Sequence, residues 1–343
     1  MSANQAGSKG LKIAVLGAGS IGTYLGAALI AVGADVVLIG RARMQQLVAT
    51  AGVRLSDLNG RSVSLSPEQI NYTQEPQALA DADLILVTVK SADTAHAGQQ
   101  IAQFAKAGAM VISFQNGIGN AHTLRQVLPN RTVLGGMVPF NVVLTDQGVF
   151  HRATEGDLVL EAAPELLTWS ALFAKAGLPL QPSSDFTQIQ WGKLILNLNN
   201  AINSLSGLPL KAELSQQVFR RCLAGLIEEA VTVMRAAGIK PAKISKVDPS
   251  WLPTILRMPD LLFKQMAASM LRIDPEARSS MWDDLQAKRR TEVDYLNGAI
   301  VTLAESLGLD APLNRRIVAL IRRAEQGELS ALTGEQLLSE LYP

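Results

Sequence analysis

The chain has 343 residues, 48% hydrophobic and 18% charged, with 31 Lys and Arg against 30 Asp and Glu. At roughly 150 residues per domain this is room for two domains, and the apolar share excludes a disordered chain. A net charge of +1 excludes bulk attraction to nucleic acid or to an anionic membrane, and the single cysteine, Cys222, excludes a disulfide framework or a cysteine-rich metal site and is read as packing.

Residues 1–10, MSANQAGSKG, read as a loose tail. Residues 13–34 carry no charge and follow Lys9 and Lys12, the outline of a signal peptide or membrane anchor. Glycines at 17, 19, 22, 26 and 33 divide that stretch into a strand, a turn and a helix, so a cytoplasmic protein is expected. Residues 11–16 read as a buried strand, 20–32 as a helix, and 34–39, 83–89 and 110–114 as further strands. Continuous apolar strands with helices between them indicate a parallel sheet covered on both faces. The stretch 52–66 suits a small hairpin or irregular strands. The alternation weakens over 132–181, where 156–161 reads as a strand, 165–176 as a helix and 178–181 as a last strand.

After residue 184 the character changes to helices at 187–206, 215–237, 249–271, 281–307 and 312–326. Gly207 with Pro209, and Gly238 with Pro241, suit helix stops. The expected architecture is α/β: a Rossmann-type doubly wound domain at 11–184, then an all-helical domain at 185–343.

The first strand runs into Gly17-Ala18-Gly19-Ser20-Ile21-Gly22, a G-x-G-x-x-G run placed after a strand and opening a helix. Gly17 permits the tight turn, Gly19 lets a pyrophosphate approach the backbone, and Gly22 permits close helix–strand packing. The helix N-terminus offers free N–H groups to the phosphates. A dinucleotide site of the NAD type carries an acid at the end of the second strand. Here that segment is Ile39-Gly40-Arg41-Ala42-Arg43, and Asp35 lies at the strand's other end. Arg41, with Arg43 beside it, suits a 2′-phosphate and hence NADP(H). Two later strands end in Lys90 and in Gln115-Asn116-Gly117. Ligands in open parallel sheets bind beyond the strands' carboxyl ends, so Lys90 and Asn116 are expected over the cofactor.

Residues 191–203 are apolar except for one lysine and four asparagines. Asn is a poor helix former and costly to bury unsatisfied. On one helix Lys193, Asn197, Asn200 and Ser204 share a face. Ser280 suits a helix N-cap, with Asp283 completing a capping-box analogue, and Glu292 falls three turns on. The three histidines, His96, His122 and His151, lack metal-ligand spacing, so no metal is expected.

Taken in order, the glycine run, Thr88-Val89-Lys90, Gln115-Asn116-Gly117-Ile118-Gly119, Trp191-Gly192-Lys193-Leu194 with its asparagines, and Arg290-Thr291-Glu292-Val293-Asp294-Tyr295-Leu296-Asn297-Gly298 make the chain resemble the ketopantoate reductase family over about residues 11–330. The resemblance implies an active site between the domains, NADPH as reductant, and reduction of 2-dehydropantoate to pantoate in pantothenate and coenzyme A biosynthesis. It implies Lys193 as the catalytic lysine and Glu292 as the glutamate near it and the cofactor. The resemblance and the residue reading together place Gly17, Ala18, Gly19, Ser20, Ile21, Gly22, Arg41, Lys90, Asn116, Asn141 and Glu292 at the cofactor, and Asn116, Asn197, Asn200 and Ser280 at the substrate, Arg41 and Asn200 from the residues alone. The partner is then a small 2-oxo acid, with no nucleic acid or membrane, and a homodimer is the candidate assembly. One departure stands out: the family's second asparagine falls four residues after the first, where this chain has Ala201, with Asn200 and Asn203 on either side. Helical geometry favours Asn200. A related reductase of another 2-oxo acid or imine, or a non-catalytic NADP-binding sensor, are the alternatives. A sensor would not need Lys193 and Glu292 together.

Overall fold

A computed structural model describes residues 10–145, 147–243, 247–266 and 276–343; residues 1–9 of the expected tail lie outside them. The chain divides into two units, one running through Phe186 and one starting at Thr187.

The first unit is α/β. Its strands are β1 (Lys12–Leu16), β2 (Asp35–Ile39), β3 (Val53–Asp57), β4 (Ser62–Leu65), β5 (Asn71–Thr73), β6 (Leu84–Val87), β7 (Met110–Ser113), β8 (Val133–Met137), β9 (Val142–Leu144), β10 (Val149–Arg152), β11 (Leu158–Glu161) and β12 (Leu180–Ser183). Its α-helices are α1 (Ser20–Ile30), α2 (Ala42–Ala51), α3 (Thr94–Phe104), α4 (Asn120–Val127) and α5 (Leu167–Lys175). The main sheet has the order β12-β11-β8-β7-β6-β1-β2-β5. It is parallel from β8 to β5, and β11 joins β8 antiparallel.

Alternate residues of one strand serve opposite faces. Ile13 and Val15 join a core with Tyr24, Leu25 and Leu29 of α1. Ala14 and Leu16 join another with Ala97 and Ile101 of α3 and Leu124 of α4. Both faces are therefore covered, which is why the strands read as unbroken apolar runs.

Residues 52–66 form the hairpin β3–β4, placed in a second sheet of order β4-β3-β10-β9. Its partner β10 lies about a hundred residues away in sequence and pairs with β3 in parallel. No local pattern announces such a pairing.

The second unit is helical: α6 (Phe186–Asn197, which begins one residue before the unit), α7 (Asn199–Ser206), α8 (Leu210–Leu214), α9 (Gln217–Ala236), α10 (Leu252–Leu256), α11 (Asp260–Met266), α12 (Ser280–Gln286), α13 (Asn297–Ser306), α14 (Pro312–Glu325) and α15 (Gly334–Leu341). Gly207 and Gly238 take positive φ at helix ends, as their sequence positions suggest.

Three expected helices are in fact broken. The helix expected at 187–206 is interrupted at Leu198, which keeps helical dihedrals. Asn197, Asn199 and Asn200 around that residue lower helix propensity, and within α7 the Ser204 hydroxyl bonds back to the Asn200 carbonyl at 2.7 Å. The helix expected at 249–271 divides into a 3-10 turn, α10 and α11, with Pro259 before α11; residues 267–271 lie outside the described residues. The helix expected at 281–307 ends at Gln286, because Lys288 turns left-handed with φ 51° and Arg289 pairs with the buried Asp284. Glu292 therefore stands before a 3-10 turn (Val293–Tyr295), not three turns along a helix. Among the described residues no helix is long and apolar enough to cross a membrane.

Candidate active site

The glycine turn is built where β1 lies between β6 and β2, the point at which the strand order reverses. Gly17 takes φ +102°, and a Cβ there would lie 2.5 Å from the Val89 nitrogen. At Gly22 a Cβ would lie 2.5 Å from the Thr88 hydroxyl, which donates to the Gly17 carbonyl at 2.9 Å. Both glycines are thus required by close packing of the turn against the end of β6.

Gly19 differs. A Cβ there would meet only the Gly17 carbonyl, at 3.9 Å. It caps α1 with no side-chain hydrogen bond and no acid in the first turn, so the helix N-terminus keeps its positive end uncovered. This is the cradle a pyrophosphate fits, with Ala18 buried beneath and Ser20 and Ile21 opening the helix.

Gly40 follows β2, and a Cβ there would lie 2.1 Å from the Tyr72 hydroxyl. That hydroxyl donates to the Ala18 carbonyl at 2.8 Å, tying the end of β5 to the turn. Burial pushes Tyr72 up to about 12, so it remains a neutral donor. Tyr72 was not foreseen; an aromatic hydroxyl on a short strand is a weak signal. Arg41 then caps α2, exposed, with its guanidinium 3.4 Å from Asp93. Arg43 is exposed beside it.

Lys90 and Asn116 follow β6 and β7 and are partly buried. Beneath them lies a polar network that the sequence did not reveal. Gln115 Nε2 donates to the Thr94 hydroxyl at 2.7 Å and accepts at Oε1 from Ser113 at 2.9 Å. The Thr94 hydroxyl lies 2.8 Å from both Asn120 Oδ1 and the Ser91 carbonyl. The Asn116 carbonyl accepts from Ser91 at 2.9 Å and from Asn120 at 2.6 Å. These bonds set the backbone that presents Lys90 and Asn116. Asn141, between β8 and β9, is exposed. Its N–H is spent on the Thr154 hydroxyl at 2.9 Å, and its carbonyl accepts from Ala153.

In the helical unit Lys193, Asn197 and Asn200 are each partly exposed. Desolvation of its charged end lowers Lys193 to about 8, and the charge of Glu292 opposes that fall. Glu292 itself is buried. So the two residues interact despite lying 99 positions apart. Among the described residues no hydrogen bond engages the Asn197 or Asn200 side chains.

Asn203 has a different part. It is fully buried; Nδ2 donates to Glu213 and to the Leu208 carbonyl, and Oδ1 accepts the Ser279 N–H at 2.8 Å. Ala201 is fully buried too.

The cap expected at Ser280 belongs to Ser279, whose hydroxyl accepts the Trp282 N–H at 3.1 Å. Ser280 is the first helical residue and is exposed, and Asp283 is one position too late to complete the box. Two adjacent serines offer the same local signal; the Asn203 bond to the Ser279 backbone selects between them. Cys222 is buried, and burial pushes its thiol up to about 12, as packing requires.

Comparison with known proteins adds the following. The family model described as ketopantoate reductase PanE/ApbA matches residues 13–165, and its C-terminal counterpart matches residues 185–325. A 2-dehydropantoate 2-reductase of Halobacterium salinarum is 28% identical over 323 residues, 92% of this chain and 99% of that one. The crystal structure of a PanE/ApbA family ketopantoate reductase from Ralstonia eutropha is 30% identical, covers 93% of this chain and 99% of its own, and superposes with a TM-score of 0.79. D-mandelate dehydrogenase, solved with NADH and anilino(oxo)acetate, shares the fold, with a TM-score of 0.76 at 20% identity over 93% of this chain and 99% of its own. Since the two family matches together take in most of the residues of both units, the chain belongs to the ketopantoate reductase family.

Proposed function

We propose that the chain reduces 2-dehydropantoate to pantoate with NADPH. The observation that carries this is Lys193, desolvated to about 8 and under the influence of Glu292, one turn before Asn197 on α6, with Asn200 in the first turn of α7. Two of the proteins compared above, those of Halobacterium salinarum and Ralstonia eutropha, bear that activity in their names.

The dinucleotide supplies the hydride. The residues of the first unit hold it: Gly19 and the N-terminus of α1 take the pyrophosphate, and Arg41 grips the 2′-phosphate where an NAD site would carry an acid. Lys90 and Asn116 line the strand ends beside it.

The residues of the second unit answer the other half of the chemistry. Negative charge grows on the C2 carbonyl oxygen as the C–H bond forms. The Lys193 ammonium stabilises that charge and gives the oxygen its proton, then regains one from solvent. A value near 8 keeps Lys193 charged at neutral pH and close enough to solvent acidity to release the proton. Glu292 orients the ammonium. Asn197, Asn200 and Ser280 bind the substrate carboxylate and hydroxyl.

Ala201 favours one second reading, a reductase of a 2-oxo acid that lacks the hydroxymethyl group, because it removes a polar side chain from the family's usual position. NADPH oxidation followed by absorbance with a panel of 2-oxo acids tests both. Absence of turnover with any of them sinks the enzymatic reading.

A further inference from the structure

The helical unit contains a carboxyl group that the proposed reaction does not use. Glu213 on α8 is fully buried. Its Oε2 accepts from Asn203 Nδ2 at 2.7 Å, and the carboxyl is within hydrogen-bonding reach of the Asn199 side chain. Two oxygens of this cluster, Glu213 Oε1 and Asn199 Oδ1, are buried with no hydrogen-bond partner. Each orphan carries its full desolvation cost, and an ionised Oε1 with no donor carries the larger one. A proton on the carboxyl removes that buried charge.

The surroundings agree. From α7 the groups that face Glu213 are the neutral amides of Asn199 and Asn203. From α9 the titratable neighbour is the Cys222 thiol, itself neutral. The buried Arg220 of α9 is committed to the carbonyls of Leu214, Leu256 and Met258 and to Asp260. Among the described residues no cation pairs with Glu213, and burial raises it to about 8.

The cluster leads to the proposed substrate face. Asn203 has one donor end and one acceptor end. With Nδ2 held by Glu213 and the Leu208 carbonyl, Oδ1 is left to receive the Ser279 N–H. Ser279 then caps α12, and its hydroxyl reaches the Asn200 carbonyl at 3.2 Å.

We infer that Glu213 is a neutral carboxylic acid that accepts from Asn203, and that it is a positioning residue fixing Ser279 and the start of α12 beside Asn200. The positioning role rests on the proposed 2-oxo acid reduction; the protonation state does not.

Glu213→Gln reproduces the neutral acid, with Nε2 in place of the O–H. A carboxyl raised above its unfolded value contributes stability at low pH that is lost as pH climbs from about 5 to 8. In thermal unfolding the variant should match wild type near about pH 5 and melt several degrees higher at pH 8. A variant less stable than wild type at pH 8 reveals an ionised carboxylate held by two amides and overturns the assignment. In kinetics with NADPH and 2-dehydropantoate, the wild-type to variant ratio of kcat/KM cancels the titration of Lys193. That ratio should fall as pH rises through about 8, carried by KM for the 2-oxo acid, with NADPH affinity equal in both. A flat ratio overturns the positioning role. If wild type turns over no 2-oxo acid, the proposed function fails while the stability comparison still decides the proton.

Discussion

Single residues divide the chemistry cleanly enough to test. Lys193→Ala should lower kcat by ~10²–10⁴, a general-acid magnitude, with little change in NADPH affinity. A rise in KM alone, with kcat retained, makes Lys193 a binding residue. Because the proton donor must be charged, wild-type kcat/KM should decline as pH rises through about 8. Arg41→Ala should weaken NADPH by about tenfold or more while leaving NADH unaffected; equal wild-type affinities for the two, measured by fluorescence titration, would remove the NADP assignment. The two asparagines should separate by phenotype. Asn203 makes three hydrogen bonds, two of them buried, so Asn203→Ala should lower unfolding free energy by roughly 1–3 kcal/mol. Asn200→Ala should leave the melting temperature intact and raise KM for the 2-oxo acid.

Among elements, the glycine turn and the strand ends carry different burdens. Gly17 and Gly22 are forced by contact with β6, whereas Gly19 faces open space. Gly19→Val should therefore leave the ligand-free protein folded, with an unchanged melting temperature, yet abolish the stabilisation that NADPH gives. A variant that unfolds without ligand would make Gly19 structural. The network under Lys90 and Asn116 makes the opposite case. Thr94→Val removes a hydroxyl that serves Gln115 and Asn120 and should cost about 1–3 kcal/mol in chemical denaturation. Such networks escape a linear reading, since Thr94, Gln115 and Asn120 each look like ordinary helix-end or loop residues. The break at Lys288 escaped for a related reason: no glycine marks the left-handed turn, and the Arg289–Asp284 pair holds it instead.

For the whole molecule, specificity is the quantity to measure. A site that hydrogen-bonds the substrate hydroxyl leaves its own polar groups unpaired with an analogue lacking it. Wild type should therefore prefer 2-dehydropantoate over 2-oxo-3-methylbutanoate by at least about 10³ in kcat/KM. A preference for the unhydroxylated acid would instead follow from Ala201 and assign the chain a sister activity.

The sequence by itself determined the class of fold, the glycine turn and the family, because these depend on short-range facts. Strand and helix periods, glycines that permit a turn and the run of residues around Lys193 and Glu292 are all local. Only the tertiary structure decided the electrostatic coupling of Glu292 to Lys193, the identity of the cap as Ser279, the burial of Asn203 and the pairing of β3 with β10. Each of those depends on which distant groups share a low-dielectric interior, where an unpaired polar atom is costly and a single hydrogen bond chooses between neighbours that look alike in sequence.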